Sequence, residues 1–233
     1  MAQSLRTRLY RLPLVERIGL ELLLGLLISL ACLWLFALIA HHVTTETMLV
    51  RLDTNLADEL HAQATPASTL FYLTLSRIGA PGLWIVGVLV GVWFLRHRRW
   101  LDALLWATAL IGGVLLNEAL KVYFVRPRPI FAEPLALENS FSFPSGHAMS
   151  SLIALGLLAY FICRPITNPR TRILVVFAAT LLTVLIGISR LTLGVHYLSD
   201  VVAGYAAGSI WLLTCLLAAR QIERRAVTSR SNG

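Results

Sequence analysis

The sequence predicts an all-α, polytopic membrane protein with six transmembrane helices. Three observations predict it. The 233 residues are 57% hydrophobic and only 14% charged, too apolar for an ordinary soluble domain. Six apolar stretches are separated by polar loops, and a helix crossing a bilayer takes about 20 residues. Lysine and arginine collect in alternate loops, as membrane topology requires. A formal net charge of +8 would direct a soluble protein to nucleic acid, but its placement here reports topology and anionic lipid instead.

Residues 1–17 are polar and basic, and the apolar run Ile18–Ala40 is the first span. It is too long for a signal-peptide core and has no small-residue cleavage site near Ala40, so it is expected to stay as an anchor, with Glu21 at the interface. Residues 41–66 are polar, and within them Leu49, Leu52, Leu56 and Leu60 recur at helical spacing between Arg51, Asp53, Asp58 and Glu59. That pattern predicts an amphipathic outer helix that packs on the bundle or on headgroups. Ala67–Ile78 is expected to be an interfacial helix, broken by Gly79-Ala80-Pro81-Gly82 from a second span at 81–95. The remaining spans are 101–125, 147–162, 173–188 and 201–219. No repeat or long linker divides the chain, so residues 1–233 form one domain. Cys32, Cys163 and Cys215 lie in or beside apolar runs without C-x-x-C spacing, and neither a disulfide framework nor a zinc site follows.

Charge gives the orientation. Fourteen of the twenty lysines and arginines lie in residues 1–17, 96–99, 164–172 and the tail, which places both termini in the cytoplasm. The exceptions carry more information. Lys121, Arg126, Arg128 and Arg190 cluster at the other ends of spans three and five, where burying a cation costs on the order of 2.5–3.5 kcal/mol. Glu118, one turn from Lys121, and Asp200 cannot balance all four, so an external anion is the economical explanation. Arg126 reads as a loop or headgroup contact. Asn117 and Glu118 face a pocket only if their helix is turned that way. His41, His42 and His61 read as surface histidines, and the six tryptophans as interfacial or packing groups.

Three segments fall at that end: Lys121 to Pro129, a K-x6-R-P pattern; Pro144-Ser145-Gly146-His147, at the start of span four; and Ser189-Arg190, then His196, then Asp200. In the second, the backbone N–H groups of Ser145 and Gly146 can point at an anion with help from the helix dipole. In the third, His196 and Asp200 share a face if they share a helix. The carboxylate could then fix the imidazole tautomer and make the other nitrogen a nucleophile or base, or the pair could simply cap a transmembrane helix.

In this order and at these spacings the three segments resemble the type 2 phosphatidic acid phosphatase superfamily, the lipid phosphate phosphatases, and the six-span layout fits its membrane branch. The resemblance implies a lipid phosphatase acting on phosphatidic acid, phosphatidylglycerophosphate or undecaprenyl pyrophosphate. His196 would be the nucleophile that carries a phosphohistidine, Asp200 its orienting partner, and His147 the general acid and then base. Lys121, Arg128 and Arg190 would bind phosphate, with Ser145 and Gly146 adding a hydroxyl and backbone donors; Ser189 would only hold the loop. Three fixed cations can neutralise the equatorial oxygens of a transferring phosphoryl group, and no carboxylate cluster is suited to Mg²⁺, so no metal or other cofactor is expected. Two histidines in opposite protonation states predict a bell-shaped pH profile. The implied site faces away from the cytoplasm, in the periplasm of a bacterial inner membrane. A lipid phosphotransferase with the same site and a non-catalytic anion-binding or transport protein are the alternatives. A soluble-type haloperoxidase is disfavoured by the spans.

Overall fold

The structure, a computed structural model, describes residues 14–45 and 48–231. The basic residues Arg6, Arg8 and Arg11 lie outside the described residues, as do the side chains of Arg17, Glu21, Arg224, Arg225 and Arg230. The described residues form eight α-helices: α1 (Leu14–Thr44), α2 (Met48–Ala62), α3 (Pro66–Arg77), α4 (Leu83–Arg96), α5 (Trp100–Phe124), α6 (Gly146–Cys163), α7 (Pro169–Thr192) and α8 (Leu198–Ser231). Within α1, α5, α6, α7 and α8 lie stretches long and apolar enough to cross a membrane, whereas α4 is shorter.

The sixth crossing is composite, and here the sequence expectation needs correcting. Gly79-Ala80-Pro81-Gly82 does not break the chain into two helices. Residues Ile78–Gly82 form a π-turn that joins α3 to α4 without interruption. Pro81 offers no N–H and its ring would collide with the carbonyl one turn back; a wider turn takes both up, as π-bulges do. At about 1.5 Å per residue, the 14 residues of α4 fall short of the roughly 30 Å hydrocarbon layer. Continuity with α3 supplies the missing length. A capping box between Thr65 and Ser68, with Pro66 in the first turn, starts the composite helix.

Helix α6 packs against α5, α7 and α8, and α1 lies along α8. The core is built from Phe94, Leu105, Trp106, Ala109, Met149, Ile153, Leu157, Ala207 and Cys215, contributed by α4, α5, α6 and α8. Leucines along α1 and large apolar residues on α4 and α7 point outward, the band a bilayer would cover. A second cluster, Ile39, Ala40, Phe143 and Ala203, with Phe36 and Phe124 against Phe143, supports the loop that leads into α6.

Two ends of the bundle are distinguished by their charges. Arg164 donates to Asp102 at 2.7 Å, which places the loops around 96–102 and 164 together. The end of α5 and start of α6, with the end of α7 and start of α8, meet at the opposite end. Helix α8 approaches α6 so closely there that a Cβ on Gly204 would lie 2.7 Å from the Ser145 carbonyl oxygen. This contact fixes Asp200 against Ser145.

Candidate active site

Three backbone devices deliver the side chains. Val125 ends α5 in the left-handed region (φ 50°), rare for a β-branched residue, and so turns Arg126 and Arg128 back over the bundle. Ser145 caps α6, its side chain accepting from the Ala148 N–H, and aims His147 inward from the first turn. Gly194 (φ 67°) ends the turn after α7; a Cβ there would meet the Phe131 ring at 2.7 Å. The carbonyl of Arg190 accepts from the N–H groups of Val195 and His196, and this ties the nucleophile candidate to the end of α7.

His196 is buried and lies before α8 rather than on it, so the shared-helix-face geometry is corrected. Contact with Asp200 is made across the turn instead, with Nδ1 3.5 Å from Oδ2. Asp200 also accepts the Tyr197 N–H at 2.8 Å and the Ser142 hydroxyl. The capping and orienting roles, alternatives in the sequence, are combined in one carboxylate. An Arg128 guanidinium nitrogen stands 3.2 Å from Nε2. A guanidinium only donates, so the proton belongs on Nδ1 and the Nε2 lone pair faces the cations. Burial pushes the His196 imidazole down to about 4, against the pull of Asp200, which leaves it neutral at neutral pH.

Serine hydroxyls knit the other groups together. Ser140 Oγ lies 3.0 Å from both Lys121 Nζ and Arg128 Nη2. Ser76, on α3, accepts from Arg190 and lies 3.5 Å from His147 Nε2. Arg190 also pairs with Glu138, and Lys121 with Glu118 at 3.3 Å. Lys121, Gly146 and His147 line a cavity of about 280 Å³ together with Glu118, Glu138 and Ser140. Asn117 lines it as well, so this face of α5 is turned inward. The cavity continues into an apolar half formed by Leu83, Trp84, Leu110, Val114, Ile153 and Ala154. Trp84 is therefore not merely an interfacial aromatic. His196 does not line this cavity; it lies against the Arg128 guanidinium, beside Asp53 and Tyr197. Among the described residues, no three His, Cys, Asp or Glu side chains are grouped as a metal site requires.

Four expectations are corrected. The Ser145 N–H donates to the Asp200 carbonyl at 2.9 Å, so it is not free for a ligand; its side-chain oxygen accepts as the helix cap and keeps its own O–H to donate. Arg126 is not a headgroup contact. It is buried and bonds Asp53 at 2.9 Å and Asp200 at 2.5 Å. The charge argument also changes, because Asp53 and Glu138, distant in sequence, join Glu118 and Asp200 beside the four cations. His61, expected on the surface, stacks on Phe131 with ring centroids 3.9 Å apart.

The sequence reading passed over Ser76, Glu138, Ser140 and Ser142. Ser142 alone had a local signal, standing three residues before the helix cap in the same loop.

The chain is similar to known proteins in sequence and in fold. The PAP2 superfamily matches residues 102–224, which contain all three motif segments. Over 123 residues the chain is 38% identical to Phosphatidylglycerophosphatase B of Bacillus subtilis, covering 52% of this chain and 60% of that protein. Over 134 residues it is 34% identical to a Lipid A 1-phosphatase of Rhizobium johnstonii, covering 53% and 50%. The match thus spans between half and three fifths of these relatives' length. Among solved structures, a transmembrane PAP2 type phosphatidylglycerolphosphate phosphatase from Bacillus subtilis superposes with a TM-score of 0.74 at 28% identity, over 84% of this chain and 96% of that one. LpxE of Aquifex aeolicus shares the fold at a TM-score of 0.55 and 21% identity, over 71% and 94%.

Proposed function

The chain belongs to the PAP2 superfamily, and from that premise we propose that it is an integral membrane phosphatase cleaving a phosphate monoester or pyrophosphate on a lipid through a phosphohistidine. The observation that carries the reading is the environment of His196. Its Nδ1 is backed by Asp200, while its neutral Nε2 faces Arg128, whose guanidinium shares the Ser140 hydroxyl with Lys121. In the first step Nε2 bonds to phosphorus and the bond to the lipid oxygen breaks, with His147 giving that oxygen a proton. In the second, water gives a proton to His147 as its oxygen bonds to phosphorus and the phosphorus–Nε2 bond breaks, which releases phosphate and frees His196. Lys121, Arg128 and Arg190 hold the equatorial oxygens, with further donors from the Gly146 backbone N–H and the Ser145 hydroxyl.

The apolar half of the cavity supports a lipid over a soluble phosphate ester, since a headgroup at Lys121 would leave its chains among Leu83, Trp84 and Leu110. The relatives are named for phosphatidylglycerophosphate and lipid A; phosphatidic acid and undecaprenyl pyrophosphate carry the same reactive group. By the distribution of basic loops, the site faces the periplasm and both termini the cytoplasm.

The test is phosphate release in detergent from phosphatidic acid, phosphatidylglycerophosphate and undecaprenyl pyrophosphate, with EDTA present. Turnover of at least one is expected to persist, with free phosphate as product. Loss of activity to EDTA would overturn the cation-only mechanism, and transfer to a second lipid without phosphate release would make the protein a phosphotransferase.

Glu138 supplies a second prediction. Its carboxylate rests on Arg190 where a phosphoryl oxygen would bind, so substrate and product must displace it. Glu138→Gln is expected to lower the inhibition constant for inorganic phosphate by about tenfold, as befits removal of a competing half-buried charge. An unchanged or raised constant would mean that Glu138 only holds Arg190 in place.

A further inference from the structure

The amphipathic helix α2 packs on the reactive end of the bundle, and among the side chains it buries there is a charged one. Asp53 is only 3% exposed. It accepts the Ser199 backbone N–H at 3.0 Å, the Ser199 hydroxyl, and Arg126 Nη2 at 2.9 Å. The other arm of Arg126, Nη1, reaches Asp200 Oδ1, and its plane lies over the Tyr197 ring, 4.2 Å from the centroid. Arg126 therefore stands between two carboxylates. Beyond the second of them is His196.

A count of these charges gives Asp53 a purpose. Arg126 and Asp200 alone would cancel, leaving a neutral pair behind the imidazole. With Asp53 on the far side of Arg126, one net negative charge stays next to Nδ1–H. That charge matters when Nε2 commits its lone pair to phosphorus, because the ring then becomes a cation that still holds its Nδ1 proton. A buried cation without a compensating charge is expensive.

We propose that Asp53 is a positioning residue for the reaction: it neutralises Arg126, so that Asp200 keeps its charge for His196. The inference rests on the reading of His196 as nucleophile. It also explains why a helix outside the spans carries an aspartate on its buried face, packed beside the small Ala57.

The readout is the acid limb of kcat/KM, where His196 takes up a proton. Facing His196 are Asp200 from α8, Arg128 from the loop, Arg190 from α7 and His147 from α6; all are kept in every variant. Asp53→Asn leaves Arg126 uncompensated, which makes His196 harder to protonate and moves the limb to lower pH. Arg126→Gln leaves two carboxylates, which moves it to higher pH. The double variant has the wild-type net charge and returns the limb toward its original place. Shifts of about half a pH unit or more are expected for the single variants. For Asp53→Asn, kcat on phosphatidic acid should fall about 10- to 100-fold, as when the partner behind a metal-bound histidine is lost. KM should hardly change.

Loosening of α2 alone would not move the limb in opposite senses in the two single variants. If Asp53→Asn does not fold, Arg126→Gln and the double variant decide, since the limb must rise in the first and fall back in the second. A limb that stays at the wild-type pH overturns the inference. His196→Ala is run alongside: its activity would sink the nucleophile reading itself, whereas its inactivity with unmoved limbs sinks only the role of Asp53.

Discussion

His196→Ala is expected to lower kcat by about 10⁵-fold or more, the scale seen when a nucleophile is removed from a covalent mechanism. No other described side chain occupies its place. Arg128 lies against Nε2 but only donates, and His147 lies on the other side of the Ser76 bridge. The loss should be one of chemistry and not of folding, because Asp200 keeps Arg126, Ser142 and the Tyr197 N–H as partners when the imidazole is gone. Thermal unfolding of the detergent-solubilised variant checks this. Acid-labile phosphate bound to the wild-type chain after rapid quenching, and absent from the variant, identifies the intermediate. The wild-type pH profile carries a second mark of the same group. Burial holds the imidazole at about 4, so the nucleophile stays unprotonated as pH falls through 6.5, where an ordinary histidine would be half charged. The acid limb belonging to His196 should therefore lie near pH 4. Retained turnover in His196→Ala would overturn the mechanism.

The helices were legible in the sequence because their apolar runs are long and their ends carry ordinary signals, such as Ser145, Asn168-Pro169 and the basic loops. Gly79 to Gly82 misled, since a proline between glycines normally stops a helix; only packing against α7 reveals that a π-turn carries the chain through. A Cβ on Gly79 would lie 2.5 Å from Ile186, a closeness no local pattern announces. The site divides in the same way. Lys121, Arg128, Ser145 to His147, Arg190, His196 and Asp200 could be named as candidates because their spacings lie within single segments. Their supporting partners were not, because each bond joins remote parts of the chain: Ser76 with Arg190, Glu138 with Arg190, Asp53 with Arg126. The inference of an external anion from unbalanced charge counted only carboxylates near in sequence. Arg126 falls out of that count altogether. The case for phosphate now rests on the arrangement of Lys121, Arg128 and Arg190, and on carboxylates such as Glu138 that a ligand could displace.

His147 should show its role through the leaving group. An alkoxide leaves a phosphorus centre slowly unless it is protonated as the bond breaks, whereas a nitrophenolate is stable as the anion. His147→Ala is therefore expected to reduce turnover of phosphatidic acid by about 10²- to 10⁴-fold, the usual contribution of a positioned proton donor. With para-nitrophenyl phosphate the first step should be nearly spared. Hydrolysis of the phosphohistidine still needs a base to take a proton from water, so that step stays slow with either substrate. The two effects together predict a burst of nitrophenol close to one per enzyme in His147→Ala, followed by a slow steady rate. Geometry favours the assignment: His147 lies in the first turn of α6 on the cavity wall beside Lys121 and Gly146, and Ser76 links its Nε2 to Arg190. If His147 merely secured the start of α6, its loss would slow both substrates alike and produce no burst. Equal losses without a burst would remove His147 from the chemistry and leave the leaving oxygen to be protonated by water.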